Sequence, residues 1–122
     1  MLLLITTALF LQTPSLRAEG KTTFTAASLA EDCAALDRDL SSQPSDQLTS
    51  YRAGYCTGYL TGILGAYNAY PLVKPRLCLP AGVNVGQMEK IFMKYINEHP
   101  EQLHLLVRDV VLRSLISAFP CD

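Results

Sequence analysis

Four cysteines, two histidines and a scatter of carboxylates are the residues of this chain whose types could perform chemistry. A cysteine nucleophile needs a free thiol and a base within reach. Cys33, Cys56, Cys78 and Cys121 supply the thiols, and His99 and His104 are the only imidazoles. The two histidines lie five residues apart across the start of a helical pattern, a poor spacing for a shared metal, and Glu101 does not complete a ligand set. Zinc cysteines usually come in close pairs such as C-x2-C, whereas these are spread along the chain. Glu31 with Asp32, and Asp37 with Asp39, read as solvated helix charges rather than as a general acid and base. Gly54, Gly58, Gly62 and Gly65 lie within a helical pattern and do not follow a strand, so they form no phosphate-binding loop. No metal ligands, cofactor or catalytic residues are therefore expected, and the chain is expected not to be an enzyme.

The elements that must position these residues fit in one domain. The sequence has 122 residues, a formal charge of -1, 49% hydrophobic and 17% charged residues. That length supports one core and not two. Near-neutral charge argues against a broad surface for nucleic acid or for an anionic membrane. Residues 1–11, MLLLITTALFL, form an uncharged apolar run followed by Pro14 and Ser15, the pattern of a secretory signal. The run is shorter than the roughly 20 residues a bilayer span requires. We expect residues 1–18 to be a signal segment and residues 19–122 to be a single exported domain with no stable membrane span of its own. In an exported small domain, four cysteines point to two disulfides.

The mature part reads as all-α, a compact bundle of about four helices. The first covers residues 25–40, with Ser28, Leu29, Cys33, Leu36 and Leu40 near one face and charges on the other. A polar loop around Pro44 follows, and Ser45 or Asp46 can cap the second helix, residues 47–70. There, glycines recur at 54, 58, 62 and 65 beside tyrosines at 51, 55, 59 and 67. Each helical glycine costs about 1 kcal/mol relative to alanine. The stripe therefore predicts close approach of another backbone, with the tyrosine rings buried beside it. No charge falls between Arg52 and Lys74, yet the Gly, Thr, Asn and Tyr content makes a poor membrane span.

Pro71 and Pro75 end that helix. A third helix over residues 85–97 has Val85, Met88, Ile91, Phe92, Tyr95 and Ile96 on one side and Gln87, Lys90, Lys94 and Asn97 on the other. Pro100 is placed to start a fourth helix running to Ala118. Its apolar residues nearly encircle the last turns, which fits burial inside the bundle or a homodimer contact. Four cysteines allow three connectivities. An antiparallel pairing of helices one and two brings Cys33 toward Cys56. A short turn between helices three and four brings Cys78 toward Cys121. We therefore expect bridges 33–56 and 78–121.

Cys56-Thr57-Gly58-Tyr59-Leu60-Thr61-Gly62, Cys78-Leu79-Pro80, His99-Pro100-Glu101 and Phe119-Pro120-Cys121 occur in an order that resembles the Rap/Tai family of type VI secretion immunity proteins. The resemblance spans residues 29–121. It implies a helical, disulfide-bonded periplasmic protein that binds and blocks a toxin, the best-known toxins being peptidoglycan amidases. An inhibitor needs a stiff projecting element. The proline-bounded segment 70–76 offers an aromatic and two bases, so Tyr70, Lys74 and Arg76 are the expected partner-binding residues, ahead of the more polar residues 41–49. The competing reading is a periplasmic binding or chaperone-like module of the same scaffold with no toxin partner. A small cysteine hydrolase is a third reading and requires a reactive thiol.

Overall fold

The computed structural model describes residues 24–41, 46–69 and 77–122. The expected signal segment 1–18 and the segment 70–76 lie outside the described residues. Helix α1 is Ala26–Ser41, α2 is Gln47–Ala69, α3 is Val85–Glu98 and α4 is Val107–Ala118, with a single 3-10 turn at Pro100–Gln102. The described residues form no β-strand, only one isolated bridge between Thr25 and Leu106. The all-α expectation holds.

Helices α1, α2 and α3 begin where a side chain can satisfy an orphan amide, whereas α4 starts after Leu106 with no side-chain cap. Thr25 and Ser28 exchange bonds across the start of α1: the Ser28 amide donates to Thr25 Oγ1 and the Thr25 amide to Ser28 Oγ. Asp46 accepts from the Thr49 amide at 3.0 Å and from the Thr49 hydroxyl at 2.6 Å, opening α2. Asn84 accepts from the Gln87 amide at 2.9 Å, opening α3. Ahead of α3, Gly82 takes φ +90° in a turn closed by the Val83 amide on the Pro80 carbonyl. That backbone geometry does demand glycine.

Helices α1 and α2 form the most extensive pair, and α3 with α4 closes the other side. Leu29, Leu60, Leu77, Met88, Phe92, Val110, Val111 and Leu115 are fully buried between them, together with Cys33 and Cys56. Both bridges form, Cys33–Cys56 with Cα atoms 5.0 Å apart and Cys78–Cys121 with Cα atoms 5.1 Å apart. The first lies inside the core. The second ties the strap before α3 to the tail after α4, and there the Cys78 amide donates to the Phe119 carbonyl.

The fourth helix departs from expectation. It starts at Val107, and residues 103–106 form a turn between it and the 3-10 segment. The cause is the start of α1, whose first amides have no acceptor within their own helix. The carbonyls of Leu105 and Leu103 fill this role, accepting from the amides of Ala26 and Ala27 respectively, and the Val107 amide in turn donates to the Phe24 carbonyl. A continuous helix would have consumed those carbonyls internally. Leu103 and Leu106 consequently face solvent.

Candidate functional site

All four cysteines are bonded in pairs and no described cysteine is free. His99 ends α3, stacks on Tyr95 with ring centroids 4.3 Å apart, and has Nδ1 3.2 Å from Glu101 Oε1. The backbone amide of Glu101, followed by His99, holds the Glu101 carboxyl below its ordinary value. This is a helix-end arrangement. Among the described residues no group of three or more His, Cys, Asp or Glu side chains is placed to hold a metal ion. Nor is any described helix long and apolar enough to cross a membrane. What the described surface offers is shape and charge for contact.

Helix α2 carries one of two notable surfaces. Its inner face buries Ala53, Cys56 and Leu60, with Ile63 and Tyr67 packed alongside. Gly54, Gly58, Gly62 and Gly65 lie on the outer face, and a Cβ built at any of them would meet nothing within 4 Å. The expected close backbone contact is therefore absent within the described chain. Two of the tyrosine rings also fail to bury: Tyr51 is 68% exposed and Tyr55 43%, beside Leu48 at 60%. Tyr59 and Tyr67 are the half-buried ones, and Tyr67 Oη accepts the Leu79 amide at 3.3 Å. Phe24 joins this cluster without a sequence signal: its ring meets Tyr55 edge-on at 5.3 Å and Tyr59 at 5.4 Å. It sits one residue outside the helical pattern, so no periodicity marks it. Burial pushes the Tyr59 hydroxyl up from its ordinary value, offset in part by Arg108.

The second surface is a cleft of about 500 Å³ between the end of α1 and the start of α3, lined by Leu36, Asp37, Asn84, Gln87, Glu89 and Lys90. Glu89 is only 3% exposed. Burial pushes its carboxyl up, Asp37 reinforces the shift and Lys90 opposes it. Glu89 was legible in principle: it lies four residues after Val85 and three before Phe92, on the buried stripe of α3. The carboxylates of α1 otherwise divide as solvated charges do. Burial raises the Asp32 carboxyl while Arg52 on α2 counteracts it, and Asp39 accepts from Ser50 Oγ at 2.9 Å.

Tyr70, Lys74 and Arg76, the expected partner-binding residues, lie outside the described residues. The chain on either side of them is fixed: α2 ends at Ala69, Leu77 is fully buried and Cys78 is bridged.

The chain matches the model of the family described as Rap1a immunity proteins over residues 25–121. No curated protein and no solved structure matches it significantly. The matched stretch takes in all four helices, both bridges and both surfaces, and on that coverage the chain belongs to the Rap1a immunity protein family.

Proposed function

We propose that this protein works in the periplasm as an immunity protein that binds and inhibits a type VI secretion effector, and that the effector is a peptidoglycan amidase. The observation that carries the reading is the family match across the whole helical body. The chemistry of the chain agrees with action by occupancy. The described cysteines are tied up in bridges, and two disulfides suit an oxidising compartment. The uncharged apolar run 1–11, inside the expected leader 1–18, supports a route out of the cytoplasm. A bridged bundle loses little conformational freedom on binding, which favours tight inhibition.

Residues 70–76 are our proposed contact segment, with Tyr70 as the aromatic anchor and Lys74 and Arg76 as charge partners. A titration of purified amidase with the immunity protein tests both levels. The wild-type protein is expected to abolish wall hydrolysis at equimolar ratio. The pair Lys74→Ser and Arg76→Ser is expected to weaken inhibition about tenfold or more, the loss of two charged contacts, with the thermal midpoint unchanged. Equal inhibition by the double variant removes the segment from the interface. Failure to capture or inhibit any wall-degrading enzyme leaves a periplasmic binding module as the better account.

A further inference from the structure

The cleft between α1 and α3 holds a carboxylate with nothing to bind. Glu89 is 97% buried as a residue, yet among the described residues it takes no hydrogen bond and no ion pair. No described side-chain oxygen is both sealed from solvent and unpartnered, so the Glu89 carboxylate is reached through the cleft that it lines. A carboxylate set this far into the protein surface is normally paired, because an ion that loses part of its water without gaining a partner is destabilised. Asp37 stands across the same cleft on α1 and worsens the position of Glu89. Lys90, the one cation lining the cleft among the described residues, forms no ion pair with either carboxylate among the described contacts.

We infer that this cleft receives a cationic side chain, in the first instance an arginine, from the protein partner. Two carboxylates on different helices present the acceptors that a guanidinium fork needs. Leu36 supplies an apolar wall for the methylene stem, so the ligand is a side chain with both a stem and a charge. The first-turn amides of α3 would favour an anion instead. Asn84 already occupies the amide of Gln87, and two negative charges face any anion that enters. The raised Glu89 carboxyl is the cost of the empty state, and an entering cation removes it. The identity of the partner rests on the immunity reading, whereas the cleft itself is testable on the isolated protein.

Titrating the isotopically labelled protein with N-acetyl-arginine amide, followed by amide chemical shifts, tests the inference directly. The expected result is saturable shifts confined to the neighbourhood of residues 36–37 and 84–90, with a dissociation constant of about 1 mM. The uncharged N-acetyl-citrulline amide is expected to produce none. Glu89→Gln is expected to weaken the arginine probe about tenfold, and Asp37→Asn by less. Because it removes an unpaired buried charge, Glu89→Gln is also expected to melt no lower than wild type at neutral pH. No saturable shift at the cleft, or equal binding by Glu89→Gln, overturns the inference even if the protein neutralises its toxin. Saturable binding by a protein that inhibits no toxin upholds the cleft and removes only the identity given to its partner.

Discussion

The two faces of α2 are built from one stretch of helix and obey different rules. Its inner face, with Ala53, Cys56 and Leu60, is covered by α1 and the core. Its outer face carries four glycines with open space around them and two tyrosines in solvent. Small residues on a buried face permit close packing. On an exposed face the same residues lower helix stability and leave a smooth surface flanked by Leu48, Tyr51 and Tyr55. The difference teaches that glycine periodicity alone marks a face as flat without saying what lies against it.

Breaking the inner face should produce the largest effect. Cys33→Ala with Cys56→Ala opens a 23-residue separation, and the chain-entropy estimate puts the loss at about 3.4 kcal/mol. Denaturant unfolding of the double variant measures it. A loss near zero would mean that α1 and α2 hold together without their bridge. The outer face should respond in the opposite direction. Gly54→Ala with Gly62→Ala places two methyl groups in open space, and helix propensity then raises stability by about 1–2 kcal/mol. Destabilisation would show that the face is covered by another chain in solution. Should the double variant be more stable and yet inhibit less, the face belongs to the partner.

How much of this was legible follows from which forces act locally. The helices at α1, α2 and α3, with ends within two residues, follow from hydrophobic period, caps and prolines, all of which are read within a few positions. The bridge partners follow once α1 and α2 are taken as antiparallel neighbours. Two features did not yield to local reading. The start of α4 shifted from Pro100 to Val107 because Leu103 and Leu105 accept hydrogen bonds from the distant start of α1, a long-range demand that no window contains. The glycine stripe faces open space rather than a backbone; propensity reports a cost without naming the compensation. For the candidate site the yield was lower still. Glu89 sat on the apolar stripe of α3 in plain view, but its cleft depends on Asp37, which chain order places far away.

If the outer face of α2 receives no help from neighbours, its first turn must be held by local bonds, and Asp46 is where that can be tested. Its carboxylate accepts from both the amide and the hydroxyl of Thr49, and these two bonds hold the group below its ordinary value of 3.8. A carboxyl with a lowered folded pKa stabilises the fold at pH above its unfolded value, and that contribution fades as pH falls through the folded one. Asp46→Ala should therefore lower the thermal midpoint at neutral pH, and the gap to wild type should narrow only below about pH 4. The effect is expected to be the smallest of those considered, since the group is fully exposed and water competes for both bonds. An unchanged midpoint at pH 7 would mean that contacts beyond the first turn fix the start of α2, and the contrast between its two faces would then apply only from Tyr51 onward.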